Sequence, residues 1–84
     1  MERKRLSLIK VAKKIGVIIE KKFHPIRIYL YGSVLDSELF KEYSDLDFAI
    51  EGLSVEDLYS AHSIAEELAP VKVDLVNFGR VEEF

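Results

Sequence analysis

The sequence predicts a single α+β domain: a small mixed β-sheet with helices on one face, in the order α-β-β-α-β. Two observations carry that expectation. Three short segments alternate apolar and polar residues with a period of two, as half-buried strands do, and two longer segments repeat apolar residues at helical spacing. These segments interleave along the chain, which suits helices packed against a mixed sheet. A length of 84 residues accommodates one such domain, residues 1–84, and not two.

The first element is an amphipathic helix over residues 6–22. Leu8, Val11, Ala12, Ile15, Ile18 and Ile19 form one stripe, and Lys10, Lys13, Lys14 and Lys21 lie opposite it. Phe23-His24-Pro25 ends it, because the residue before a proline is pushed out of the helical region. Ile26 to Tyr31 follows as a strand, with Ile26, Ile28 and Leu30 alternating with Arg27, Tyr29 and Tyr31. Gly32-Ser33 stops it, and a short helical turn is expected within residues 34–42, before Tyr43-Ser44. A second strand runs from Asp45 to Glu51 and sorts Leu46, Phe48 and Ile50 onto one face.

Ser54 then opens a helix, with Asp57 three residues on in a capping pattern and Leu58, Ala61, Ala65 and Leu68 as its apolar stripe. Pro70 ends that helix. A third strand follows from Val71 to Val76, with Val71, Val73 and Leu75 facing one way and Lys72, Asp74 and Val76 the other. Arg80 to Phe84, after Gly79, reads as the start of another helix. The apolar faces of the three strands meet the helices, so Asp45, Asp47 and Asp74 gather on the opposite face.

Composition narrows the function classes. The chain has no cysteine, which excludes disulfides, thiolate metal sites and thiol nucleophiles. Its apolar runs fall far short of the ~20 residues of a membrane span. Met1-Glu2-Arg3-Lys4-Arg5 is basic, but no unbroken apolar segment follows it, so the expected location is the cytoplasm, without a membrane partner. The net charge is −3, unevenly spread: residues 1–27 carry +7 and residues 28–84 carry −10. Such asymmetry marks either a solvated basic helix face or a surface for an acidic partner. The overall negative charge argues against a nucleic-acid partner.

Three features carry chemistry, and each has a purely structural alternative. Gly32-Ser33 at a strand end allows a sharp turn and close approach of a phosphate, although Gly-Ser after a strand is most often only a turn. Asp45-Leu46-Asp47 places two carboxylates on one face about 6–7 Å apart at the Cα, as hard oxygen-seeking cations require. The alternative is an acidic pair on a solvated face. Asp74 sits among β-forming neighbours although aspartate is disfavoured in strands. It either pairs with Lys72 or completes a cluster with Asp45 and Asp47. His24 and His62 read as structural histidines, and Tyr29 and Tyr31 as residues covering the sheet.

As an ordered set, Tyr31-Gly32-Ser33, then Ser44-Asp45-Leu46-Asp47-Phe48-Ala49-Ile50, then Val73-Asp74-Leu75-Val76, this pattern resembles the minimal nucleotidyltransferases of the DNA polymerase β superfamily. The resemblance covers residues 26–78, and the preceding helix suits it. The stretch from 34 to 44 is slightly longer than the family's usual spacer. Val34-Leu35-Asp36-Ser37 stands where members often carry a further glycine and a basic residue, and Asp36 and Glu38 bring negative charge near the turn.

The resemblance implies a polymerase β palm-like fold and a Mg²⁺-dependent nucleotidyltransferase that moves a nucleoside monophosphate, AMP from ATP, onto a hydroxyl. Gly32 and Ser33 would hold the nucleotide's β- and γ-phosphates. Asp45, Asp47 and Asp74 would be the catalytic and metal-binding residues around two Mg²⁺ ions, with Asp74 also helping to deprotonate the acceptor. Small members of the family commonly accompany a HEPN-domain protein as the antitoxin of a toxin–antitoxin pair, some by adenylylating it, which implies such a partner here. The alternative is a non-catalytic module of the same fold that neutralises a partner by forming a complex. A dimer or heteromer is expected from the small size.

Overall fold

The computed structural model describes residues 2–36, 38, 40 and 45–78. The order of elements is α1 (Glu2–Phe23), β1 (Arg27–Tyr31), a 3-10 turn (Ser33–Leu35), β2 (Leu46–Glu51), α2 (Val55–Leu68) and β3 (Val73–Asn77). This is the α-β-β-α-β succession read from the sequence. Tyr43-Ser44, Gly79 and the expected helix start at Arg80–Phe84 lie outside the described residues, as does most of the expected turn beyond Asp36.

Helix α1 is longer than its apolar stripe, starting at Glu2. Arg5 anchors that first turn. Its guanidinium donates to Glu2 Oε2 at 2.7 Å and, across the chain, to the Val34 carbonyl at 2.9 Å. Hydrogen bonding to Arg5 holds the Glu2 carboxyl below the usual range. The helix ends at Phe23, as the proline predicts, but by a left-handed cap and not an extended residue: His24 has φ 52° and donates its N–H to the Glu20 carbonyl at 3.0 Å.

The sheet order is β1-β2-β3, with β1 antiparallel and β2–β3 parallel. A parallel neighbour needs a crossover, and the 14-residue α2 supplies it. Ser54 caps α2 as its sequence suggests, its hydroxyl accepting from the Asp57 N–H at 3.1 Å. Alternation is cleanest in β2, where Leu46, Phe48 and Ile50 are buried and Asp47, Ala49 and Glu51 only partly so. The helices close over this face. Leu8, Ala12, Ile15 and Ile19 of α1 and Ala61 and Ala65 of α2 join Leu46, Phe48, Ile50 and Val73 in one core.

Four expectations are corrected, the first being that β2 begins at Leu46, not Asp45, which leaves Asp45 outside the ladder. β3 begins at Val73, not Val71, and β1 begins at Arg27, leaving Ile26 67% exposed. Leu68 and Ile18 remain exposed although both fall on their helices' apolar stripes. Periodicity fixes a direction around a helix, and burial also needs something beneath it.

Candidate active site

The site is built at one end of the open sheet face. In the β2–β3 register Asp47 is directly opposite Asp74, and in the β1–β2 register Tyr31 is directly opposite Asp47. Partners in register share a face. Asp47, on the central strand near its start, therefore has Asp74 on one side and Tyr31 on the other. Asp45 lies just before β2, outside its ladder. The adjacent Leu46 N–H donates to the Lys72 carbonyl at 3.0 Å, so the acidic segment is tied to the start of β3.

The register sets Asp74 beside Asp47, and the electrostatics of Asp47 follow from that placement. Partial burial pushes the Asp47 carboxyl above its ordinary value of 3.8. The negative charge of Asp74 pushes it further, and that of Asp45 adds to this. The register places Asp74 on the same face as Asp47 in the neighbouring strand.

Gly32 closes the near side. Its backbone has φ 93° and ψ −164°, a region open essentially to glycine alone. A β-carbon there would collide with Asp47 Oδ2. The turn thus lies directly against the central carboxylate. Ser33 starts the 3-10 turn and is half-buried. That turn spans only Ser33–Leu35, and its Leu35 and Asp36 N–H groups are satisfied by Gly32 and Ser33 carbonyls at 3.1 and 3.0 Å. Any affinity of this turn for phosphate comes from glycine's close approach and the serine hydroxyl, not from a helix dipole. Arg5 braces the turn from behind through the Val34 carbonyl, a support that the basic N-terminal run did not single out.

The donor set suits a hard divalent cation: oxygen ligands only, crowded enough to repel each other, with backbone access secured by a glycine. Among the described residues, no group of three carboxylate or histidine side chains is already drawn together to hold one ion. Asp47 and Asp74 form the near pair, and Asp45 contributes its charge from beyond the strand end.

A pocket of about 360 Å³ adjoins Asp74, lined also by Val55, Leu58, Tyr59, His62 and Leu75. None of Gly32, Ser33, Asp45 or Asp47 lines it, so the aspartate set and the pocket share Asp74 alone. His62 is a satisfied, partly buried histidine, as its place beside the apolar stripe suggests, with Nε2 2.7 Å from the Val73 carbonyl. Tyr29 covers the open face and tilts against Phe78, ring centres 5.6 Å apart.

Neither the curated proteins nor the solved structures include a match to the chain. The family model described as "Polymerase beta, Nucleotidyltransferase" matches residues 13–83, a span that takes in the second half of α1, the glycine turn, all three aspartates and the whole of α2. A match over that much of the chain, on a fold whose register brings together the residues of the motif, makes this chain a member of the polymerase beta nucleotidyltransferase family.

Proposed function

We propose that the chain is a Mg²⁺-dependent nucleotidyltransferase that moves AMP from ATP onto a hydroxyl group, and that this hydroxyl belongs to a HEPN-domain partner for which the chain serves as antitoxin. The observation that carries the transfer reading is the register pairing of Asp47 with Asp74 beside Gly32. The partner reading rests on the resemblance to minimal nucleotidyltransferases and on the small size of the domain.

In this reading Gly32 and Ser33 receive the β- and γ-phosphates, the glycine by letting them near the backbone and the serine by donating its hydroxyl hydrogen. Asp45, Asp47 and Asp74 hold Mg²⁺, which when bound neutralises charge on the phosphates and lowers the pKa of the attacking hydroxyl. Asp74, on the edge strand, takes the acceptor proton. The acceptor oxygen forms a bond to the α-phosphorus, the bond from that phosphorus to the bridging oxygen breaks, and its electron pair leaves with pyrophosphate.

The test is transfer of label from ATP carrying it at the α-phosphate, with Mg²⁺ and the partner present. Labelled partner and released pyrophosphate are expected from the native chain and not from the Asp45→Asn/Asp47→Asn double variant. Undiminished transfer by that variant would overturn the reading.

A second reading, a non-catalytic module that neutralises a partner by covering it, is favoured by two observations. Asp36 and Glu38 are exposed just past the glycine turn, where they would repel a triphosphate. The described residues also hold no ready-drawn group of three ligands. Inhibition of the partner that survives replacement of all three aspartates would select this reading.

A further inference from the structure

β3 is an edge strand, and its free edge is occupied at one residue only among the contacts described: Val73, immediately before Asp74. In a parallel ladder successive residues present their backbone groups alternately to the two sides. The Lys72 carbonyl accepts from Leu46 of β2 at 3.0 Å, so the N–H and C=O of Val73 point away from β2, toward the open edge. Both are taken by side chains of α2. Glu66 Oε2 accepts the Val73 N–H at 3.0 Å, and His62 Nε2 donates to the Val73 carbonyl at 2.7 Å. The two side chains are one helical turn apart, and His62 Nε2 lies 3.5 Å from Glu66 Oε2, so the clamp is continuous. One residue of β3 is thus held on both sides, by β2 through its neighbour and by α2 through these side chains, as it would be inside a wider sheet.

We propose that His62 and Glu66 are positioning residues for the metal-binding carboxylates. By occupying the edge-facing backbone of Val73 they fix Asp74 opposite Asp47. The inference rests on the reading of Asp47 and Asp74 as metal ligands, but it assigns a role to residues on a helix that carries none of the aspartates. Val73 itself is fully buried and anchors the clamp in the core, next to Asp74 in the ladder with β2. Tolerance for a shifted carboxylate is small when a cation is held by oxygen atoms from different strands.

The test uses the full chain and Mn²⁺ as the probe ion, titrated by calorimetry, with amide hydrogen exchange at Val73 and Asp74 as a second readout. His62→Phe removes the donor and keeps a ring, while His62→Gln keeps a donor at similar reach. Glu66→Met and Glu66→Gln make the matching pair for the acceptor. The expected result is a loss of Mn²⁺ affinity of about tenfold in His62→Phe and Glu66→Met, with faster exchange at Val73, and recovery of both in the Gln variants. Native affinity in folded His62→Phe and Glu66→Met overturns the proposal. So does a loss in the Gln variants as large as in the apolar ones, because this would follow from the ionisable groups and not from the backbone clamp. A native chain that binds no Mn²⁺ overturns the nucleotidyltransferase reading itself, and the role of the clamp with it. Failure of the clamp alone leaves native binding intact.

Discussion

Asp47 Oδ2 fills the space that a β-carbon on Gly32 would need. The turn and the central carboxylate are therefore mutually constrained: the turn lies this near the strand only because Gly32 has no side chain. Gly32→Ala meets two penalties, the collision and a backbone at φ 93° that L-residues rarely adopt. The expected cost is about 1–3 kcal/mol, read as a lower denaturant midpoint with an unchanged slope. Replacing Asp47 by Ala in the same chain should return part of that loss. Strictly additive costs in the double-mutant cycle would show that the two residues do not share the space.

The raised pKa of Asp47 makes stability depend on pH in a stated direction. The folded chain binds this proton more tightly than the unfolded chain does. The stability tied to it is present below the ordinary value of 3.8 and is lost as pH rises through the raised value. At neutral pH the ionised carboxylate therefore opposes folding. Asp47→Asn should melt at a higher temperature than the native chain at pH 7, and the gain should vanish as pH falls below the ordinary carboxylate range. Mg²⁺ should raise the native midpoint at pH 7 and do so less in the variant, since a ligand that binds only the folded state stabilises it. Thermal melts across pH, with and without Mg²⁺, check both signs.

Ile50 lies at the centre of the core and is fully buried, on the strand that both neighbours share. Truncation to Ala should cost about 2–5 kcal/mol. A domain of this length has roughly 4–13 kcal/mol in all. Ile50→Ala is therefore expected to lose about half its stability in urea unfolding while the folded population keeps the pairing of β2 on both sides.

Parity was legible in the sequence, and register was not. Alternation alone places Leu46, Phe48 and Ile50 inward and Asp47 outward, because side chains reverse faces at every residue of a strand. The Ser54 cap was equally legible, being a local bond between a hydroxyl and an amide three residues on. That Asp47 stands opposite Asp74 is a different kind of fact. It depends on which strands adjoin and on where β3 starts, and β3 starts where Val73 pairs with Leu46 of β2, which no local pattern announces. His62 and Glu66 look like an ordinary pair one helical turn apart until the strand edge is seen beside them. The same holds for Arg5, which resembles its basic neighbours until its guanidinium is found on the Val34 carbonyl. Leu68 shows the reverse case, an apolar residue on the right stripe that stays 47% exposed at the last residue of its helix.

Stability and metal binding should separate cleanly between Ser54 and Asp74. Ser54 caps α2 through one hydrogen bond from the Asp57 amide and lies outside the segments that carry Asp45, Asp47 and Asp74. Ser54→Ala should cost about 1 kcal/mol, and in a domain of this size a loss of that order lowers the melting temperature by about 4–8 °C. Mn²⁺ affinity, measured well below that temperature, should stay within twofold of native. Asp74→Asn should behave in the opposite way. It removes a charge that raises the pKa of Asp47, so the fold should be no less stable at pH 7, while Mn²⁺ affinity should drop by at least tenfold. If the two variants instead lose metal affinity in proportion to their loss of stability, the aspartates contribute no more to the ion than the rest of the scaffold does.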